Sequence, residues 1–304
     1  MQFPEMRGIV TVLNTPFTDD DRVDFQALQR HTEFAIKSGV AGFLVPANAA
    51  EVQSLRGTER DDMVAAVLEV SRKRAVVVGG ASAPTHAERC RNSERLAKLG
   101  SDVILVSQPY ENAGQYLTEL QDVAAVAALP LMVQDWDANG TGVPLASLVE
   151  ACSAIPQVRY LKIETVDAGP KYTALKRATK GDVHVSGGWT VMQLIEALDR
   201  GVDAFMPTSL HRIYVSIYKL YTAGNRDAAT ELFRRALPIL AFSNQHLEHS
   251  IHFFKRLLWK QDIYPTPKLR APVHAFDDHH RRMADELIEL ALTLDGELEV
   301  NAIL

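Results

Sequence analysis

A lysine and a glutamate lie two residues apart in the segment YLKIE, whose other residues predict a buried β-strand. Alternate residues of a strand point to the same side, so Lys162 and Glu164 are expected to share one face, together with Tyr160. Burial strips an ammonium group of its hydration, which is costly and lowers the pKa of a lysine. The neutral amine can then attack a carbonyl carbon and form a Schiff base. A structural ion pair at a strand end is the alternative interpretation.

Short strands alternate with amphipathic helical segments along the first two thirds of the chain. The predicted strands are Gly8–Leu13, Gly42–Pro46, Ala75–Gly79, Asp102–Val106, Leu131–Gln134, Val158–Ile163, Val183–Val185 and Asp203–Met206. Eight strand-helix units in series, without a linker, predict an α/β fold of the closed (β/α)8 type, a TIM barrel. A doubly wound open sheet is the competitor, but no G-x-G-x-x-G motif follows the first strand.

Glycines mark the ends of several predicted helices. Gly39, Gly100 and Gly201 each precede an apolar strand, where a left-handed residue is expected to end the helix. Beyond residue 210 only helical patterns occur. We therefore predict a catalytic barrel over residues 1–222 and a helical extension packed on it over residues 223–304.

Composition and charge narrow the functional class. The 304 residues are 47% hydrophobic and 23% charged, with a net charge of −6 and no dense basic run. This balance argues against nucleic acid or an anionic membrane as a partner. Cys90 and Cys152 form no CxxC pair and are interpreted as free core thiols in a reducing compartment. The N-terminus does not resemble a secretory signal, and no apolar run reaches the ~18 residues of a membrane helix, so a soluble cytoplasmic protein is expected.

In a TIM barrel, the chemistry lies at the C-terminal ends of the strands. Lys162 comes late in the sixth strand, so an inward-facing side chain would lie near that end of the barrel. Glu164 follows on the same face and still closer to the strand end. This position favours the catalytic interpretation of the pair.

Several further segments, in the same order along the chain, resemble the dihydrodipicolinate synthase / N-acetylneuraminate lyase superfamily. The opening GIVTVLNTPFTDDDRVD carries Thr15, Pro16, Phe17 and Asp24 at the expected places. The segments that follow are LVPANAAEVQSLRGTER, VILVSQPYENAGQ, ALPLMVQDWDANG and YLKIE. The resemblance runs from residue 8 to about residue 295 and implies a barrel enzyme in which Lys162 forms a Schiff base with its substrate.

The residues that define the synthase reaction in this superfamily are replaced. Asn48 and Ala49 stand for a threonine pair, Glu111 for the interface tyrosine, and Gln134 for the tyrosine that faces the lysine. An amide cannot act as a general base near neutral pH. The segment DWDANGTG also lacks the arginine that holds the second substrate in the synthases. The chain is therefore not expected to be a dihydrodipicolinate synthase.

The pattern is similar to the 2-keto-3-deoxy sugar acid dehydratases, especially the L-2-keto-3-deoxyarabonate type. The matching features are Ala47–Asn48 with Glu51, the pair Gln134–Asp135, and the triplet Lys162–Ile163–Glu164. The segment SGGWTVMQ differs, because it lacks the acidic residues expected of that enzyme. Trp189 in this segment is interpreted as either a pocket residue or a packing residue.

The resemblance implies a mechanism that needs no metal, nucleotide or prosthetic group. Backbone N–H groups of the Asn48–Ala49 loop would bind the substrate carboxylate, and Lys162 would condense with the ketone. Glu164 would remove a C3 proton, directly or through a water, and loss of the C4 hydroxyl would complete a dehydration. The residues expected to orient the substrate or line its pocket are Asn48, Ser82, Ser107, Tyr110, Glu111, Gln134 and Ser186, with Tyr110 alternatively at a subunit contact.

Two other functions stay open. Retro-aldol cleavage uses the same iminium and needs a base on the C4 hydroxyl, for which Glu111 or Glu164 could act through a water. A non-catalytic binding homologue would not explain a buried lysine. The expected partners are a small 2-keto acid and further copies of the chain, as a dimer or tetramer.

Three histidines on one helical segment, His246, His249 and His252, are interpreted as a helix face rather than a metal site, because their spacing spreads them around the helix.

Overall fold

The structure is a computed structural model that describes residues 3–188, 192–270 and 275–301. Within these residues, eight parallel strands pair in chain order and form a closed barrel. The strands are β1 Gly8–Val12, β2 Gly42–Val45, β3 Val76–Gly80, β4 Val103–Val106, β5 Leu131–Asp137, β6 Val158–Thr165, β7 His184–Gly187 and β8 Ala204–Phe205. The predicted (β/α)8 fold is confirmed.

Helices connect the strands and continue beyond the last one. Over the same described ranges they are α1 Phe25–Ser38, α2 Gly57–Ser71, α3 His86–Leu99, α4 Ala113–Ala127, α5 Leu145–Ala154, α6 Ala168–Ala178, α7 Leu194–Asp199, α8 His211–Thr222, α9 Arg226–Ser243, α10 Leu247–Lys260 and α11 Asp278–Asn301. The C-terminal helical extension predicted from the sequence is thus present. Its predicted boundary at residue 222 stays a prediction, although α8 does end at Thr222.

Local sequence explains where several helices begin and end. The side chains of Asp24, Thr85 and Asn112 each accept a hydrogen bond from a backbone N–H group in the first turn of α1, α3 and α4. Gly39 and Gly100 end α1 and α3 with φ of 93° and 104°, in the left-handed region predicted for both. Gly201, with φ of 78°, follows α7 in the same way.

Two strands are longer than the sequence indicates. β5 ends at Asp137 rather than Gln134, and β6 ends at Thr165 rather than Ile163. The apolar pattern stops earlier because these final residues are polar or exposed, but backbone pairing between the strands continues to Asp137 opposite Thr165. The extra length carries Glu164, so it matters for the site.

The chain comprises two compact units. One consists of Val76–Met206 with the N-terminal segment up to Arg7, and it contains β3 to β8. Inside it, the buried carboxylate of Asp203 accepts hydrogen bonds from Arg7 (2.7 Å), Lys176 and the Val185 backbone (2.8 Å). These bonds tie the N-terminal segment and α6 to the start of β7 and β8.

The other unit consists of Gly8–Ala75 and the chain from Pro207 onward. It contains β1, β2 and the helical extension. Ala27 of α1 packs with Leu258 of α10 and with Tyr264 in a buried apolar cluster. None of the helices that the structure describes is long and apolar enough to cross a membrane.

Candidate active site

Lys162 lies in the middle strand of three neighbours that place polar groups beside it. In the strand register it stands opposite Gln134 of β5 and opposite Ser186 of β7. Its side chain is buried, with the whole residue only 4% exposed. The flanking residues Leu161 and Ile163 are fully buried and alternate with it along β6.

The side chains of Lys162 and Glu164 form an ion pair. The Nζ atom of Lys162 lies 2.8 Å from Oε2 of Glu164, and the same oxygen accepts a hydrogen bond of 2.5 Å from Nε2 of Gln134. The spacing of two residues does place both side chains on one strand face. Because the lysine and its nearest carboxylate are in hydrogen-bond contact, the carboxylate is positioned to take a proton from the ammonium group and leave a nucleophilic amine.

A glycine that the sequence analysis did not single out makes room for this arrangement. Gly188 follows β7 directly, and a Cβ atom at this position would overlap the carboxylate of Glu164. Any larger residue would therefore displace the glutamate or its own backbone. The pair of glycines in SGGWT was the available signal, but the sequence alone does not say what approaches them.

Asp135 anchors the loop that follows β5. Its carboxylate accepts a hydrogen bond from the Val143 backbone (2.8 Å) and contacts Lys171 at 2.5 Å. Lys171 also donates to the backbone oxygens of Thr141 and Val143. Burial raises the pKa of Asp135 above its usual value, so these contacts only partly offset its desolvation.

The predicted serines are engaged with the backbone. Ser82 accepts a hydrogen bond from the N–H group of Ser107 (2.9 Å), which leaves its hydroxyl proton available. Ser186 donates to the carbonyl oxygen of Leu161 (3.2 Å), so its remaining capacity is as an acceptor. Ser186 is adjacent to Lys162 in the strand register, whereas Ser82 lies after β3.

The structure gives Tyr110 partners other than the residues of the lysine cluster. The hydroxyl of Tyr110 lies 3.1 Å from the hydroxyl of Ser147 on α5, and its ring packs 5.5 Å from that of Tyr116. Glu111 is exposed. The pocket and subunit-contact interpretations of Tyr110 both stay predictions.

The loop after β2 belongs to the second unit and has a defined backbone. Asn48–Ala50 form one turn of 3-10 helix, in which Asn48 is exposed and Ala49 is buried. The carbonyl oxygen of Ala49 accepts a hydrogen bond from Asn14 (2.7 Å), and that of Ala50 accepts one from Thr15 (2.6 Å). These bonds orient the peptide groups of the turn. The first N–H groups of such a turn have no partner within it, which suits an anion.

Two further predictions concern residues outside these clusters. Trp189 lies outside the described residues. His246 caps the start of α10, His249 approaches His280 with 3.3 Å between their Nε2 atoms, and His252 stacks on Phe276. Among the residues that the structure describes, no group of three or more His, Cys, Asp or Glu side chains could hold a metal ion.

The chain is similar to known proteins of one family. The family model described as "Dihydrodipicolinate synthetase family" matches residues 5–291. The L-2-keto-3-deoxyarabonate dehydratase of Azospirillum brasilense is 27% identical over 306 residues, covering 96% of each chain. A 4-hydroxy-tetrahydrodipicolinate synthase of an Exiguobacterium species is 25% identical over 77% of this chain and 81% of its own.

Solved structures share the fold. The dihydrodipicolinate synthase of Rhodopseudomonas palustris superposes with a TM-score of 0.86 at 22% identity, covering 95% of this chain and 99% of its own. The N-acetylneuraminate lyase of Fusobacterium nucleatum gives a TM-score of 0.84 at 15% identity, with coverage of 93% and 98%. At these identities the likeness concerns the fold alone.

Proposed function

Because this chain belongs to the dihydrodipicolinate synthetase family and is a lyase of that family, we propose that it dehydrates a 2-keto-3-deoxy sugar acid or a similar 2-keto acid through a Schiff base on Lys162. The observation that carries the proposal is the buried contact between Lys162 and Glu164, with Gln134 bound to the same carboxylate oxygen. The similarity to a 2-keto-3-deoxy sugar acid dehydratase over nearly the whole chain supports the choice of substrate class.

The first step needs a neutral lysine, and Glu164 is the base within reach of its proton. The Nζ atom then attacks C2 of the ketone. The carbinolamine hydroxyl takes the proton held by Glu164 and leaves as water, which gives an iminium ion and restores the Glu164 carboxylate. The iminium acidifies the C3 protons because it can accept the electron pair that a departing proton leaves behind. Glu164, directly or through a water, takes one of these protons and generates an enamine.

The elimination then proceeds from the enamine. Its electron pair expels the C4 hydroxyl, which takes the proton that Glu164 removed from C3 and leaves as water, and a conjugated iminium remains. Hydrolysis by one water frees Lys162 and releases the unsaturated 2-keto acid. Gln134 does not titrate in this range, so we assign it to holding Glu164 and to orienting a substrate hydroxyl.

The other predicted residues are assigned to binding. We assign the substrate carboxylate to the first N–H groups of the 3-10 turn at Asn48 and Ala49, because such groups suit an anion. The hydroxyl groups of the sugar acid are assigned to the polar side chains predicted from the sequence, namely Asn48, Ser82, Tyr110, Glu111 and Ser186. These roles are predictions that substitution of each residue will test through its effect on KM.

Retro-aldol cleavage between C3 and C4 is the second candidate, since it uses the same iminium. It requires a base on the C4 hydroxyl, and Glu164 or Glu111 acting through a water could supply one. Gln134 occupies the strand position where we expect the tyrosine of a cleaving enzyme, and this disfavours cleavage. A non-catalytic homologue is the third reading.

Borohydride trapping tests the proposal and separates the three functions. The protein is incubated with pyruvate or with a panel of 2-keto-3-deoxy acids, reduced, and analysed by intact mass and peptide mapping. Lys162→Ala must abolish the adduct, and Lys98→Ala, which removes an exposed lysine, must leave it intact. An adduct lighter than the intact sugar acid adduct by one water supports dehydration. A pyruvate-sized adduct from a longer acid indicates cleavage, and no adduct with any 2-keto acid would eliminate the Schiff base.

The proposal extends to the setting in which the enzyme works. We propose a cytoplasmic homo-oligomer, a dimer or tetramer, that takes a small-molecule substrate. Cys90 and Cys152 are both free thiols, which suits a reducing compartment. Light scattering coupled to size-exclusion chromatography measures the number of subunits.

A further inference from the structure

A second buried lysine lies in the helical extension, far from Lys162 in the sequence. Lys255 of α10 is fully buried, and its Nζ atom donates a hydrogen bond of 2.6 Å to Oε1 of Glu51. Glu51 directly follows the 3-10 turn to which we assign the substrate carboxylate. The pair joins residues 204 positions apart in the chain.

Glu51 stands at a backbone position that needs support. Its φ of 56° and ψ of 40° are left-handed, which is uncommon and unfavourable for a residue other than glycine. Its second carboxylate oxygen accepts a hydrogen bond of 2.9 Å from the backbone N–H group of Arg270. Both oxygens of Glu51 are therefore bound by the C-terminal extension, and the left-handed conformation is maintained by those bonds.

The cationic side of this contact is itself fixed in place. The Nζ atom of Lys255 lies 4.2 Å from the ring centre of Phe17, and the guanidinium of Arg270 lies 4.4 Å from it. Arg270 forms two hydrogen bonds of 2.8 Å with the carboxylate of Glu59 on α2. These bonds hold the pKa of Glu59 at about 2, so the pair stays charged.

Two carbonyl groups of the turn are held by neutral side chains. Asn14 and Thr15 bind the carbonyl oxygens of Ala49 and Ala50, and the hydroxyl of Tyr264 donates to the carbonyl oxygen of Asn14 (2.7 Å). The extension thus reaches the turn by two routes, through the carboxylate of Glu51 and through Tyr264. Only the first carries charge.

A buried ion pair is weak evidence for stability, because the free energy lost on desolvation can exceed the free energy gained from the attraction. The alternative reason for such a pair is that it specifies one conformation. We propose that Lys255 is a positioning residue, which holds Glu51 and the turn Asn48–Ala50 in the conformation that binds the substrate carboxylate. The inference rests on the proposed function, since it concerns the affinity of the same site for a 2-keto acid.

The protonation of Lys255 makes the inference testable without any substitution. Burial lowers the pKa of Lys255 to about 8, against the raising effect of Glu51. The other charges that act on it are Arg270, which lowers the pKa, and Asp21, which raises it. Above pH 8 the amine becomes neutral and its ionic contact with Glu51 is lost. The concentration of 2-keto acid at half-saturation is then expected to rise with pH.

The experiment measures two quantities separately, the pyruvate concentration at half-saturation and the maximum amount of adduct. Lys162 adducts with pyruvate are trapped by borohydride over a range of pyruvate concentrations, in the wild type and in Lys255→Met, Glu51→Gln and Lys260→Met. Lys260 is an exposed lysine on the same helix and serves as the matched control. Glu51→Gln keeps the shape and removes the charge, so it carries the test if Lys255→Met does not fold. Thermal unfolding monitored by circular dichroism establishes that each variant is folded.

We expect Lys255→Met to raise the half-saturating concentration at least tenfold, with the maximum adduct unchanged, and Glu51→Gln to raise it severalfold. Lys260→Met should match the wild type. The rise above pH 8 should be present in the wild type and absent in Lys255→Met.

Two results would count against the inference in different ways. If the folded variants keep the wild-type half-saturation, or lose only maximum adduct, Lys255 is merely structural and the inference is wrong while the proposed function stands. If the wild type itself forms no adduct at Lys162, the proposed function is wrong and the inference falls with it.

Discussion

Gln134 and Lys162 stand opposite each other on neighbouring strands, and both side chains contact the same oxygen of Glu164. The glutamate is thus held from two sides, by a cation that can become the nucleophile and by an amide that cannot titrate. When Lys162 enters a Schiff base it no longer offers an ammonium group to Glu164. The amide contact then remains to orient the carboxylate toward its next proton.

Removing the charge of Glu164 tests its role as the base. We expect Glu164→Gln to lower kcat for dehydration about 100-fold or more, since a positioned general base contributes about 10²–10⁴-fold. Adduct formation with pyruvate at Lys162 should persist at a reduced rate. Steady-state kinetics and peptide mapping give the two readouts, with Glu150→Gln, an exposed glutamate on α5, as control. An unchanged kcat would assign the proton transfer to another group.

Adding one methyl group beside Glu164 tests the importance of its position rather than its charge. Gly188→Ala places a Cβ atom where the carboxylate now lies, so Glu164 or the backbone must shift. We expect a loss of about 1–3 kcal/mol in the free energy of unfolding, as for other overpacked sites. We also expect a fall of at least tenfold in kcat. Gly57→Ala, at an unobstructed position, is the control and should change neither quantity in this direction. A variant with wild-type kcat would show that the position of Glu164 is not critical.

A buried pair of histidines predicts loss of stability in weak acid. Nε2 of His31 lies 2.9 Å from Nε2 of His211, whose Nδ1 lies 2.8 Å from the hydroxyl of Thr11. Nδ1 of His31 lies 3.0 Å from the hydroxyl of Tyr264, which donates its only proton to the carbonyl oxygen of Asn14. His31 must therefore donate to Tyr264 and accept from His211. Every group is satisfied while both rings are neutral, and a proton added to His31 would set its Nε2–H group against that of His211.

Burial accordingly lowers the pKa of both rings, that of His211 to about 3. In the unfolded chain they titrate near their ordinary pKa of 6.5. The unfolded state thus binds more protons below this value, so the free energy of unfolding should fall as the pH drops from 6.5. Urea denaturation at pH 7.5, 6.5 and 5.5 measures the slope. His211→Gln should make it shallower, and His279→Gln, at an exposed position, should not. A steep slope retained in His211→Gln would contradict this account.

The two cysteines are expected to be poor nucleophiles in the folded protein. Burial raises the pKa of the Cys152 thiol to about 12, and burial together with Asp122 raises that of Cys90. Alkylation depends on the thiolate, so at pH 8 iodoacetamide should label Cys152 only after denaturation and Cys90 slowly. Mass spectrometry of native and denatured samples over time gives the rates. Rapid labelling of native Cys152 would contradict its burial.

Patterns within short stretches of the sequence determined the fold and the central pair of residues. The eight strands follow from alternating apolar runs and helical segments, and their glycine-terminated helices follow from the need for a left-handed residue. The shared face of Lys162 and Glu164 follows from a two-residue spacing on one strand. Each of these depends on the local geometry of the backbone, which nearby residues decide.

Tertiary structure alone decided which groups meet across the chain. Lys255 and Glu51, His31 and His211, and Gly188 and Glu164 come together because the folded chain brings separate elements into contact. No spacing or periodicity signals such a contact, since each partner also fits an ordinary place in its own helix, turn or strand. The ends of β5 and β6 were underestimated for the same reason, because pairing between strands carries both past their apolar residues. Local sequence specified the elements, and packing between distant elements specified the environment of each charge.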